Sequence, residues 1–147
     1  PRRDSLIFAA NVWHATGPEP ETIMQVLGRQ KDIQFASRAT SHVARQQQIH
    51  RMRHIIRELA QHIPDDRCKD PDVQRMLGYG CATVMHLLPL HAPRLEGEDH
   101  TKDIDFTAAG IDTRRKAGYA DTLRVLKEQP WAHCEDTMDG IIIHGTT

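Results

Sequence analysis

Ten histidines among 147 residues make metal binding the first chemistry to consider. His50, His54 and Glu58 follow one another at intervals of four residues, which places all three on one face of a helix. Zinc accepts such ligands, but the H-E-x-x-H signature is absent and no obvious fourth ligand appears. We favour a solvated, partly stacked basic helix face, and we predict neither a metal site nor a cofactor. For His100, which stands beside an acidic cluster, we favour a capped acidic loop.

Nucleophilic hydrolysis needs an activated serine or cysteine on a sharp, glycine-flanked turn. The serines are Ser5, Ser37 and Ser41, and none of them lies in a G-x-S-x-G motif. Cys81 follows Gly78-Tyr79-Gly80 and superficially resembles such a turn, but we favour a helix end that leads into a strand. We therefore predict no catalytic residue in this chain.

A basic stretch at residues 38–57 is the third candidate for a site. Phosphate-binding glycine motifs are absent, and the stretch lacks the aromatic side chains that stack on bases, so we predict no nucleic-acid partner. The alternatives are anionic lipid headgroups, an ordinary solvated face, or an internal partner for the acidic segment 96–105, which is the interpretation we favour. The candidate residues for an anionic surface or for internal ion pairs are Arg38, His42, Arg45, Arg53, Arg57, Glu98, Asp99 and Asp103.

Charge is divided unevenly along the chain. Residues 1–64 carry nine Lys and Arg against five Asp and Glu, whereas residues 65–147 carry ten against fifteen. The net charge of -1 predicts no bulk preference for nucleic acid or membrane. Three widely spaced cysteines argue against a disulfide framework. We expect a cytoplasmic location, with peripheral membrane association as an open alternative.

Hydrophobic patterning predicts one α/β domain over residues 1–147. Residues 6–12 form an apolar run without alternation, which predicts a buried strand. A long helix is predicted over residues 21–63, either as one rod or kinked between Phe35 and Gln48. The further predicted elements are a short helix capped by Asp70, a buried strand at 81–90 ended by Pro89 and Pro93, a helix at 108–129 capped by Thr107, and a terminal strand within 139–144. The predicted sheet is incomplete.

Two helices carry apolar stripes that have to pack against something. On the long helix, the spacing of three and four residues places Ile49, Met52, Ile56, Leu59 and Ile63 on one face. On the later helix, Ile111, Tyr119, Leu123 and Leu126 line one side. A homodimer through Ile49, Met52, Ile56 and Leu59 is therefore an alternative function, that of an autonomous helical interaction module.

Several polar strings resemble the C-terminal region of bacterial patatin-like phospholipases. They are Lys31-Asp32-Ile33-Gln34-Phe35-Ala36-Ser37-Arg38, Ile49-His50-Arg51-Met52-Arg53-His54, residues 97–106, and Gly118-Tyr119-Ala120-Asp121-Thr122. The resemblance implies a partial three-layer α/β fold, with a few buried strands, one long helix and a second C-terminal helix. It also implies lipid acyl-ester hydrolysis by a Ser–Asp dyad.

The motifs that carry this dyad in the family do not occur here. The family places its serine in G-x-S-x-G and its aspartate in D-G-[GA], both before the strand at residues 6–12, whereas Asp139-Gly140 is followed by isoleucine. No catalytic residue is therefore carried over. We expect the chain to be the non-catalytic C-terminal part of a longer hydrolase. Its expected partners are the missing N-terminal catalytic region and a lipid or membrane surface.

Overall fold

The computed structural model describes residues 4–92, 94, 100–133 and 137–145. It shows a mixed α/β fold, as the sequence predicts. In chain order, the elements are β1 (Ser5–Asn11), α1 (Ile23–Ala60), α2 (Pro71–Leu77), β2 (Met85–His91), α3 (Ala108–Glu128) and β3 (Ile141–Ile143). A short 3-10 turn at Arg67–Lys69 precedes α2, and another at Pro130–His133 follows α3.

The three described strands form one parallel sheet in the order β1-β2-β3. Ser5 is opposite Met85, and the pairing of β1 with β2 continues to Asn11 and His91. On the other side of β2, Met85 is opposite Ile141. The ladder begins at Met85 rather than at Cys81, because both neighbouring strands begin at that level.

The prediction that Pro89 ends the second strand was wrong, since β2 continues to His91. Met85 N–H donates towards β3, to the carbonyl of Gly140. Because strand residues alternate, the nitrogen of Pro89 also points to the β3 side. The His144 N–H donates to the Leu87 carbonyl, so the next hydrogen bond of this ladder would be donated by residue 89. Because Pro89 has no N–H, the ladder with β3 ends there, while the pairing with β1 on the other side continues to His91.

The prediction that residues 6–12 are buried was also wrong. Leu6, Ile7 and Phe8 each keep about two fifths of their surface exposed, at 41%, 40% and 40%. β1 lies at the edge of the described sheet, while α1 packs chiefly on β3 and α3 on β2. Phe8 makes an edge-to-face contact with Trp131. The apolar run is thus typical of a covered strand, but the described residues do not cover it.

α1 is one continuous helix of 38 residues, which decides between the predicted alternatives in favour of a single rod. A capping box begins it: the Thr22 hydroxyl accepts from the Gln25 N–H, and the Gln25 side chain accepts from the Thr22 N–H. The helix contains no proline and ends shortly before Pro64, as predicted.

The face of α1 that packs on the rest of the chain is not the apolar stripe. Asp32, Ala36, His50 and His54 are buried, and they share one side of the helix. The apolar stripe lies on the opposite side, where Met52 is 62% exposed and Leu59 is 58% exposed.

Helix caps confirm the predicted starts of the other two helices. The Asp70 carboxylate accepts from the Asp72 N–H at the start of α2, and the Thr107 hydroxyl accepts from the Gly110 N–H at the start of α3. The predicted stripe of α3 is largely exposed, with Ile111 at 52% and Tyr119 at 67%.

The described core is small for the mass of the chain. Its buried hydrophobic residues are Ala36, Val84, Leu88, Val125 and Ile141. The accessible surface is 10879 Å², against about 7,600 Å² for a compact monomer of 16.7 kDa. Among the described helices, none combines the length and apolarity that crossing a membrane requires.

Candidate functional site

The histidines that were considered as metal ligands, His50 and His54, lie in the interface between α1 and the start of the sheet. The Nε2 atom of His54 is 2.9 Å from the carbonyl oxygen of Thr83, so this nitrogen carries the hydrogen. Gly140 lies directly against the same ring, since a Cβ built there would be 2.9 Å from His54 Nε2. His50 and His54 are each 8% exposed, so the predicted solvated face is wrong for these two residues.

Burial also determines the ionisation of His50. It lowers the pKa of His50, and the nearby Arg53 and His54 lower it further. Within the described residues, the Nδ1 atom of His50 is buried without a hydrogen-bond partner. Glu58, the third residue considered as a ligand, is exposed. No group of three or more metal-ligating side chains is arranged to hold an ion in the part of the chain that the structure describes.

Cys81 is the best-placed thiol among the described residues. The Thr83 N–H donates to its sulfur at 3.4 Å, and this hydrogen bond lowers the pKa of Cys81 despite the opposing effect of burial. The cavity that it lines with His54 and Glu58 measures about 90 Å³, the volume of about three water molecules in the liquid. His54 uses Nε2 to bind the Thr83 carbonyl, so this nitrogen does not accept a proton from the thiol. The geometry does not form a nucleophile elbow.

The three serines lie far from any strand-to-helix turn that could activate them. Ser5 is the first residue of β1, and Ser37 and Ser41 lie on α1. The Ser37 hydroxyl donates to the carbonyl of Gln34, one turn earlier in the helix. These positions are typical of structural serines.

A second group, of charged and aromatic residues, joins α1 to the segments that follow β1 and β2 in the chain. We call Trp13, Asp32, Phe35 and Lys102 the Trp13 cluster. The Lys102 ammonium is 2.6 Å from the Asp32 carboxylate, and these side chains are only 6% and 12% exposed. The same ammonium lies 4.9 Å from the centre of the Trp13 ring, and this ring stacks on Phe35 at 4.8 Å. The cluster joins three segments that are distant in sequence.

A second ion pair connects α1 to the same segment. Lys31 Nζ is 3.0 Å from the Asp103 carboxylate and also donates to the carbonyl of His100. The hydrogen bond from Lys31 lowers the pKa of Asp103 below its ordinary value. The strings 31–38 and 97–106, which carry the resemblance, therefore meet through Lys31 and Asp32.

A cavity of about 440 Å³ borders the Trp13 cluster. Its lining residues come from the start of α1 and from the segments that follow β1 and β2 in the chain. In open parallel sheets, ligand sites usually lie beyond the carboxyl ends of the strands. The Arg29 guanidinium donates to the carbonyls of His14 and Ala15, and Arg94 donates to the carbonyl of Thr16. The charged lining residues are Glu19, Glu21, Arg29, Asp32, Arg94 and Lys102. This mixed-charge cavity suits a polar group, but none of its lining residues is a serine or cysteine nucleophile.

The predicted charged residues lie on two parts of the fold. Arg38, His42 and Arg45 lie on the outer side of α1, in line with the apolar stripe, and the Arg38 guanidinium lies 5.9 Å from the centre of the Phe35 ring. Asp103 contacts Lys31 rather than these residues. Their proposed roles, with an anionic surface or with the acidic segment, stay predictions.

The remaining predicted residues are placed as follows. Arg53 Nε donates to the carbonyl of Tyr79, and Arg57 lies beside Gly80 and lines the small cavity of Cys81. Glu98 and Asp99 lie outside the described residues.

Sequence reasoning missed a pair of histidines on the sheet. His86 Nδ1 and His144 Nε2 are 2.9 Å apart, and their rings are stacked. Burial lowers the pKa of His144, and the neighbouring His86 contributes to the same shift. The two residues are 58 positions apart, so no local spacing could indicate the contact.

Comparison with known protein families gives a match. The model of a protein family described as patatin phospholipase matches residues 33–138, which is more than half of the chain. The match includes most of α1, all of α2, β2 and α3, and the segment that contacts Lys31 and Asp32. No curated protein and no solved structure matches the chain.

Proposed function

Because the chain belongs to the patatin phospholipase family, we propose that it is the non-catalytic C-terminal part of a lipid acyl hydrolase. In this proposal, the serine and aspartate that cleave the ester belong to polypeptide outside these residues. The chain completes the sheet of the enzyme and adds α1 and α3 to it.

The exposed apolar surface of β1 is the observation that carries this proposal. Leu6, Ile7 and Phe8 form a strand typical of a sheet interior, yet each is about 40% exposed. An apolar edge strand is a template for another strand, and folded proteins cover or block such edges. We propose that a strand of the catalytic region pairs with β1 on this open edge.

The lack of an activated nucleophile supports the same conclusion. None of the described serine or cysteine side chains combines a proton-accepting partner with a pair of free backbone amides, which ester hydrolysis by this route requires. The excess of exposed surface over a compact monomer further supports a covering polypeptide.

The first experiment measures hydrolysis of short-chain nitrophenyl esters by the purified chain. We expect no turnover above the buffer rate, because the chain supplies no nucleophile. Clear turnover that a serine-directed reagent abolishes would overturn the proposal.

The second experiment tests the β1 edge with a separately produced catalytic region, encoded upstream of this chain in the same gene. Ser5 N–H donates to Val84 on the β2 side, so by alternation the Ala10 N–H points to the open edge. Ala10→Pro removes that donor without removing a bond to β2, whereas Ala10→Val retains it. We expect the unmodified chain and Ala10→Val to restore esterase activity, and Ala10→Pro to restore at least ten-fold less. Equal restoration by both variants contradicts pairing at this edge, and circular dichroism checks that both variants fold.

A further inference from the structure

The outer face of α1 carries an apolar stripe that no described part of the chain covers. Ile49, Met52 and Leu59 are 43%, 62% and 58% exposed, and Ile56 is half-buried between them. At roughly 100° per residue, the stripe lies on the side of the helix opposite to the buried residues. The opposite side packs on the protein, as shown by the Gln47 side chain, which donates to the carbonyl of Ile141 on β3.

This face points away from the sheet, so a continuation of the sheet beyond β1 cannot cover it. Added strands extend the sheet sideways, in its own plane. Strand pairing at β1 therefore does not by itself cover the stripe.

The spacing of the stripe favours another helix as that partner. Ile49, Met52, Ile56 and Leu59 follow one another at intervals of three, four and three residues, which is the narrow seam of a coiled coil. Arg53 borders this seam beside Ile49, and Ile55, which is 36% exposed, extends the apolar face on the side of Leu59. A helix that lies in a lipid interface also has a broad apolar face, so the vesicle experiment below separates the two partners.

The distribution of charged residues along α1 favours a second copy of this chain, in antiparallel orientation, as the partner. Between residues 33 and 57 the chain has no acidic residue, and Arg38 and Arg45 precede the stripe on the same face. After the helix, Asp65 and Asp66 are exposed. When two helices run antiparallel about the middle of the stripe, Arg45 of one copy lies near Asp65 and Asp66 of the other. A parallel pair would instead place Arg45 beside Arg45, with like charges opposed.

We propose that the chain forms an antiparallel homodimer through this face of α1. Met52 of one copy packs on Ile56 of the other, and Ile49 packs on Leu59. A seam of this length buries on the order of 400–500 Å² per partner, below the roughly 800 Å² of a standard interface, which is typical of a weak or transient association.

Sedimentation velocity of the chain at concentrations from about 1 to 100 μM tests the association. We expect the unmodified chain to shift from monomer to dimer within this range, and Met52→Glu to weaken the dimer at least ten-fold because it places a carboxylate in the seam. Ile111→Glu is the matched control, since Ile111 is an exposed apolar residue on α3, and it leaves the association unchanged. A chain that stays monomeric at 100 μM overturns the proposal, as does equal weakening by both variants.

Disulfide trapping tests the orientation, in a background with Cys68, Cys81 and Cys134 replaced by alanine. The antiparallel register brings Met52→Cys of one copy next to Ile56→Cys of the other. A mixture of the two single variants therefore gives a cross-linked heterodimer, and each variant alone gives much less. Efficient cross-linking of each variant with itself shows a parallel pair and overturns the proposal.

A lipid surface gives a different set of results. A monomeric chain that binds phosphatidylglycerol vesicles, and loses this binding in Met52→Glu, overturns the dimer in favour of membrane docking. The dimer proposal and the proposal of strand pairing at β1 can be refuted separately. We expect Ala10→Pro to leave the dimer intact and Met52→Glu to leave the reassociation with the catalytic region intact.

Discussion

The Asp32–Lys102 pair provides a test of how the Trp13 cluster holds the fold together. Lys102→Met removes the cation but keeps most of the apolar length of the side chain, so the Asp32 carboxylate loses its partner while it stays largely buried. The two side chains are 12% and 6% exposed, and the charged atoms are 2.6 Å apart. A carboxylate in this position loses most of its hydration, and among the described residues it then keeps one hydrogen bond, from the N–H of His14 at 3.3 Å.

The expected loss follows from that burial. Removing one partner of a buried ion pair costs about 3–5 kcal/mol. We expect the lower end, about 3 kcal/mol, because the methionine retains contact with the indole ring of Trp13. For a chain of this size, this free energy corresponds to a fall of about 10 °C in the melting temperature. Urea unfolding followed by circular dichroism measures the free energy directly.

The double variant and a surface pair complete the test. Asp32→Asn together with Lys102→Met leaves no unpaired charge, so we expect it to lose at least 1 kcal/mol less than the sum of the two single variants. Arg75→Gln breaks the exposed pair with Asp72, whose side chains are 75% and 79% exposed, and its effect should stay below about 0.5 kcal/mol. The reasoning is refuted if Lys102→Met matches Arg75→Gln, or if the losses of the single variants simply add.

Two further predictions concern Gly140 and His50. Gly140→Ala should destabilise the chain by about 1–3 kcal/mol, because Gly140 has a φ of +68° and a Cβ there would lie 2.9 Å from His54 Nε2. Gly118→Ala, on α3 with no atom within 4 Å of a new Cβ, should instead stabilise it by up to about 1 kcal/mol in the same thermal melts; a similar loss at both sites would contradict the proposed close approach. Burial lowers the pKa of His50 in the folded state, so the stability that the neutral ring contributes is present above the unfolded pKa of about 6.5 and is lost as the pH falls from there through the folded pKa. Urea unfolding between pH 7.5 and 5 should therefore show a shallower pH dependence for His50→Leu than for the unmodified chain, and parallel curves would rule out this contribution.

Local signals in the sequence predicted most of the elements, because caps and breakers act over a few residues. Asp70 and Thr107 cap their helices as predicted, and the run at residues 141–143 forms β3. The end of β2 was mispredicted because the missing N–H of Pro89 affects one side of the strand. It ends the ladder with β3, whereas the pairing with β1 continues to His91.

The candidate site could be predicted only in part, because its contacts join distant segments. The charge asymmetry suggested that the basic stretch 38–57 and the acidic segment would meet, whereas the described contact joins Asp103 to Lys31, which precedes that stretch. It did not indicate that the most buried pair has the reverse polarity, with the acid Asp32 on the helix and the base Lys102 on the loop. Net charge counts residues of each sign and carries no information about which of them are buried.

The arrangement of α1 shows why hydrophobic periodicity located the stripe but did not identify what covers it. Periodicity reports that a face is apolar, whereas burial within this chain depends on what the sheet offers as a partner. At the sheet, α1 meets the carbonyl of Thr83 and the backbone of Gly140, which suit the His54 ring and leave little room for large aliphatic side chains. The aliphatic side chains therefore lie on the outer face about half exposed, and each would gain on the order of 1 kcal/mol from complete burial. That unused free energy is a driving force for association, and it acts on a different surface from the open edge of β1.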